Sequence, residues 1–128
     1  MKMKNIVLID DSKMDNYISK FIIKESNLAE NINIFSSPIE ALEYLETLKN
    51  DHEKFPEVIF LDINMPDMDG FGFLDEYSKF SKDIIEETSV FMLTSSNDPK
   101  DIKRALEYPV VKKYFTKPFT IDFLNDLM

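Results

Sequence analysis

Short apolar runs alternate with amphipathic segments five times along this chain, and no other feature constrains its fold as much. Ile6–Ile9, Ile32–Phe35, Val58–Leu61, Val90–Leu93 and Tyr114–Thr116 read as strands. Val58-Ile59-Phe60-Leu61 is unbroken and β-rich, as expected of a strand buried on both faces. Strand–helix repeated five times predicts a parallel sheet with helices on both faces. A closed eight-unit barrel would need about 250 residues, twice what is here. The expectation is an α/β fold: one domain over residues 1–128, with a five-stranded parallel doubly wound sheet and five helices.

Helix starts are written into the sequence. Ser12 with Asp15 stands in capping-box register, and Met14, Ile18, Phe21, Ile22 and Glu25 follow at helical spacing. Asn27 to Asn31 is expected to break that helix. Ser37-Pro38-Ile39-Glu40 supplies a cap, a proline at the first helical position and an acid three residues after the cap. Leu42, Leu45 and Leu48 form the stripe that follows, and Lys49 to Lys54 closes the helix. Asp69 caps a third helix through Phe73, Leu74, Tyr77 and Phe80. Asp98-Pro99 starts a fourth with a thin stripe (Ile102, Ala105, Leu106), which predicts weak docking. Pro109 stops it. After Lys117-Pro118-Phe119, a last helix runs through Ile121, Phe123, Leu124 and Leu127.

Composition acts mainly by exclusion. A net charge of −9 argues against a chain that coats nucleic acid. Gly70 and Gly72 are the only glycines, too few for a glycine-rich phosphate cradle or dinucleotide loop. No window approaches the eighteen apolar residues of a membrane span, and Ile6–Ile9 is too short for a signal-peptide core. The lack of cysteine is compatible with a reducing cytoplasm.

In a parallel sheet the strand C-termini share one edge, where open α/β folds hold their ligands. Strand one ends in Asp10-Asp11, strand three in Asp62, strand four in Thr94, and strand five just before Lys117. Asn64 and Pro66 turn the chain after Asp62. Carboxylates crowded together repel unless a cation neutralises them. An all-oxygen set with room for water suits Mg²⁺, which commonly also binds a phosphate oxygen. Lys117 adds a mobile positive charge and Thr94 a hydroxyl donor, a cradle suited to a phosphoryl group. A carboxylate can accept that group at neutral pH without a general base, giving an aspartyl phosphate. His52, the one histidine, lies in a polar run and reads as a solvated side chain.

Taken in order, these residues resemble the receiver domain of two-component response regulators, the family of the chemotaxis response regulator. The resemblance covers essentially the whole chain. It is carried by Asp10-Asp11, by Asp62-Ile63-Asn64-Met65-Pro66 with Asp69-Gly70, by Leu93-Thr94-Ser95, and by Tyr114-Phe115-Thr116-Lys117-Pro118-Phe119. It implies a flavodoxin-like sheet of order 2-1-3-4-5 and makes residues 1–128 a receiver domain with no output domain in this chain. It implies Asp62 as phosphoacceptor, with Mg²⁺ held by Asp11, Asp62 and the Asn64 carbonyl directly and by Asp10 mainly through water. Lys117 would contact the phosphoryl group from a turn with a cis peptide before Pro118. Thr94 would bond a phosphoryl oxygen, and Tyr114 would rotate into the space left, changing the face of the fourth helix, fifth strand and fifth helix. Implied partners are a sensor histidine kinase or histidine phosphotransfer protein and a downstream protein, in the cytoplasm. Catalysis would extend only to the domain's own phosphorylation and dephosphorylation, where Asn64 and Ser96 occupy rate-tuning positions. Tyr108-Pro109-Val110-Val111-Lys112-Lys113 departs from the usual Gly-Ala turn, which bears on the output face and not on the acceptor.

Each piece has a plainer reading: Asp10-Asp11 as a helix cap, Asp62 and Asn64 as turn formers, Thr94-Ser95-Ser96 as a polar loop, Tyr114 as a strand aromatic, Lys117 as an edge charge. All of these would have to coincide at one sheet edge. A magnesium-dependent phosphatase would usually carry a second acid where Asn64 stands, and a covering cap. A non-phosphorylated scaffold would be expected to lack an acid, the threonine or the lysine. A flavin module would need a Ser/Thr/Gly-rich loop after the first strand.

Overall fold

The computed structural model describes residues 3–125. Its strands are β1 (Met3–Ile9), β2 (Ala29–Phe35), β3 (Val58–Leu61), β4 (Ser89–Thr94) and β5 (Val111–Thr116). The helices are α1 (Lys13–Glu25), α2 (Pro38–Thr47), α3 (Gly70–Tyr77), α4 (Lys82–Ile85), α5 (Pro99–Leu106) and α6 (Asp122–Asn125). The strands are parallel in the order β2-β1-β3-β4-β5, as the resemblance implied.

Side-chain alternation along the strands builds a core on each face of the sheet. Val7, Ile9, Ile59, Leu61, Val90 and Met92 point to the side covered by α2, α3, α4 and α5. Ile6, Leu8, Val58, Phe60, Phe91 and Leu93 point to the other, where Ile23 of α1 and Leu124 of α6 meet them. Every residue of β3 is buried, as a strand at the centre of a doubly covered sheet must be.

Three expectations need correction. There are six helices among the described residues, not five. The extra one, α4, is a single turn whose Ser81 cap makes no side-chain hydrogen bond, so it has little local signature; burial of Ile84 fixes it. Strand β2 begins at Ala29, inside the expected break, because the turn is completed by Asn27 alone in the left-handed region (φ 57). The face of α1 is also turned round. Met14, Ile18 and Phe21 are exposed, together with Tyr17, and the buried residues are Asn16, Ser19 and Ile23. Asn16 is drawn inward, its Nδ2 donating to the Asp10 carbonyl at 2.7 Å, and Ile22 of the expected stripe still packs against the core beside Ile23. The thin stripe expected on the fourth helix is real: on α5 only Ala105 is buried. Leu127 lies outside the described residues.

Candidate functional site

All four charged residues expected at the strand ends meet there. Asp10 and Asp11 follow β1, Asp62 follows β3, and Lys117 follows β5. One carboxylate oxygen from each of Asp10, Asp11 and Asp62 lies within 4.8 Å of the others. The sheet register holds them: the Asp10 N–H donates to the Phe35 carbonyl and the Asp62 N–H to the Ile9 carbonyl, both at 3.1 Å. Lys117 is placed by its own N–H, which donates to the Thr94 carbonyl at 2.8 Å, and by the turn containing the cis peptide before Pro118.

The electrostatics follow from burial. Asp10 and Asp62 are 6% and 5% exposed, whereas Asp11 is exposed at the rim. The Lys117 ammonium stands among the acids, with Nζ 2.6 Å from Asp10 Oδ2 and 3.3 Å from Asp62 Oδ2. Burial, the largest cause, together with the Asp62 charge pushes the Asp10 carboxyl up to about 6, against the pull of hydrogen bonds from Lys117 and the Ser12 N–H. For Lys117, burial works to lower its affinity for the proton. Hydrogen bonds to Asp10 and Asp15 and the Asp62 charge overturn that and raise it.

The other predicted residues flank this centre. Thr94 closes β4 and is fully buried; its Oγ1 accepts the Ser96 N–H at 3.4 Å. Asn64 lies in the β3–α3 loop with its side chain exposed. Tyr114 is half-buried on β5, and its hydroxyl donates to the Ser96 carbonyl at 2.8 Å, linking the strand-five aromatic to the loop after Thr94. His52 is exposed and paired with Glu87 at 2.8 Å, away from the acids.

One participant escaped the sequence reading. The sequence places Asp15 only in a capping box, yet its Oδ2 lies 2.8 Å from Lys117 Nζ. Only half of that box forms. Ser12 Oγ accepts the Asp15 N–H, but the Ser12 N–H is taken by Asp10 Oδ1 at 2.9 Å, leaving the Asp15 carboxylate free for the lysine. The residue type was legible; its partner, 102 positions away, was not.

A hard, all-oxygen carboxylate set facing an ammonium fits a divalent cation such as Mg²⁺ and the phosphoryl group it accompanies. The family model for the response regulator receiver domain matches residues 6–128. The chain belongs to that family. Among similar proteins, the Helicobacter pylori sensor histidine kinase CheAY is 31% identical over 96% of this receiver, which spans 14% of that relative. The receiver likewise spans 47% of DctR, a probable C4-dicarboxylate response regulator of Halalkalibacterium halodurans that is 29% identical over 94% of this chain. A two-component response regulator from Cytophaga hutchinsonii superposes with a TM-score of 0.92 at 31% identity, covering 99% of this chain and 95% of that one. The Mn²⁺-bound form of response regulator Rcp1 superposes with a TM-score of 0.76 at 27% identity, covering 97% and 88%. Receivers of this family are signalling phosphoacceptors. No helix among the described residues is long and apolar enough to cross a membrane.

Proposed function

We propose that this receiver accepts a phosphoryl group onto Asp62 from a phosphohistidine donor, with Mg²⁺, and that the modification regulates a downstream protein. The observation that carries this reading is the Lys117 ammonium set between the buried carboxylates of Asp10 and Asp62 at the sheet edge. A carboxylate oxygen of Asp62 attacks phosphorus, the P–N bond to the donor imidazole breaks, and the bond electrons leave with the imidazole nitrogen. Lys117 offsets the charge on a phosphoryl oxygen, and Thr94 donates its hydroxyl to another. Asp11, Asp62, Asn64 through its carbonyl, and Asp10 would hold Mg²⁺. When bound, that ion offsets charge on the carboxylates and on the transferring group.

The switch reading rests on Tyr114. Movement of Thr94 toward a phosphoryl group would pull on the loop whose Ser96 carbonyl the Tyr114 hydroxyl holds, and so alter the face of α5, β5 and α6. The exposed apolar band of Met14, Tyr17, Ile18 and Phe21 lies on α1, the helix that carries Asp15 at the pocket rim. It supports a protein donor, a sensor histidine kinase or histidine phosphotransfer protein, docking beside the acceptor. The setting for such a relay is the cytoplasm.

Incubation with Mg²⁺ and acetyl phosphate adds one phosphoryl mass by intact mass spectrometry, and Asp62→Ala abolishes it. Unmodified protein after treatment with small donors and a range of histidine kinases would favour a scaffold role.

A further inference from the structure

Lys117 has more acids around it than its role requires. Its Nζ contacts Asp10 Oδ2 at 2.6 Å, Asp15 Oδ2 at 2.8 Å and Asp62 Oδ2 at 3.3 Å. Asp10 and Asp62 belong to the three acids whose oxygens converge for a cation; Asp15 does not. The lysine therefore stands where it must compete with any divalent ion for two of those carboxylates.

Asp15 is well built to bias that competition. Its backbone is fixed in the first turn of α1 by the Ser12 Oγ cap, and the helix is anchored by the buried Asn16 side chain on the Asp10 carbonyl. A cavity of about 20 Å³ lies beside it, lined by Asp15, Ser19, Leu93, Lys117 and Phe119 among others.

We propose that Asp15 is a positioning residue that offers the Lys117 ammonium a berth outside the Asp10–Asp62 pair, and so lowers the ammonium's competition with the divalent cation. This rests on the metal reading given above. With Asp15 present, Lys117 can give up Asp10 and Asp62 to a cation while keeping the Asp15 contact it already makes. Without it, the lysine has only Asp10 and Asp62, and the cation must expel it toward water. Asp15 acts through Lys117 and never as a ligand.

The test is a double-mutant cycle read by calorimetric Mg²⁺ titration of wild type, Asp15→Asn, Lys117→Met and the double variant. Asp15→Asn should weaken Mg²⁺ binding by about three- to tenfold when Lys117 is present, and by less than about twofold when it is methionine. Asp15→Ser should behave as Asp15→Asn does, and Asp15→Glu should restore the wild-type affinity. Equal weakening in both backgrounds would overturn the proposal, showing a general charge effect or direct ligation. No weakening in either background would overturn it too. A wild type that binds no Mg²⁺ would overturn the metal reading together with this inference, whereas normal binding without Asp15–Lys117 coupling would overturn the inference alone.

Discussion

Replacing Gly70 by alanine destabilises the fold by about 3 kcal/mol, at the upper end of what overpacking costs. An added Cβ would sit 2.5 Å from the Asp62 carbonyl oxygen and 2.9 Å from Ile63 Cα. Both are backbone atoms of the segment that leaves β3 and carries Asp62, so neither can swing aside. The start of α3 is tied to that segment by the Gly70 N–H, which donates to the Ile63 carbonyl at 2.8 Å. Alanine must therefore lift α3 or displace Asp62. Gly72→Ala is the control, because its Cβ would meet a side-chain atom, Met68 Cγ at 2.9 Å, rather than backbone. It should stay within about 1 kcal/mol of wild type, since alanine favours the helix interior by about as much as a small shift costs. Urea unfolding of both variants measures the difference. A Gly70→Ala midpoint equal to wild type would refute the close approach.

Lys117→Met should cost about 3 kcal/mol near pH 8 without divalent ions, because it strands buried carboxylates with no cation. The pH dependence identifies the cause. Asp10 ionises in the folded chain at about 6 rather than at the ordinary 3.8. An acid raised on folding binds more protons in the native state than in the unfolded state across that interval, so its contribution to stability falls as pH rises through it. Removing the lysine hydrogen bond, which pulls that carboxyl down, pushes it further up and widens the interval toward higher pH. The penalty should accordingly be largest near pH 8 and shrink toward pH 5, where Asp10 is protonated in both proteins. Millimolar Mg²⁺ should recover part of it by binding only the folded state. A penalty independent of pH and Mg²⁺ would assign the loss to packing of the lysine stem.

The parts of the molecule that the sequence revealed are those with local causes. Val58–Leu61 announces a buried central strand because nothing polar interrupts it, and Ser37, Asp69 and Asp98 announce helix starts because each cap bonds within a few residues. The strand-end acids were legible because parallel strands must share an edge. What was not legible depends on distant partners. The rotation of α1 turns the Asn16 amide onto the Asp10 carbonyl and Ile22 and Ile23 into the core, while Met14, Ile18 and Phe21 of the expected stripe face outward. The one-turn α4 has no periodicity to detect. Asp15 looked like half of a cap until the Ser12 N–H proved to be occupied by Asp10.

The central claim is that Asp62 is the phosphoacceptor, and borohydride trapping tests it most directly. Reduction of an acyl phosphate after treatment with Mg²⁺ and acetyl phosphate converts the modified aspartate to homoserine, which peptide mass mapping locates. Homoserine at position 62, dependent on Mg²⁺, is the predicted result. Homoserine at Asp10 or Asp11, or an acid-stable phosphate on Thr94 or Ser95 with residue 62 unchanged, would contradict it.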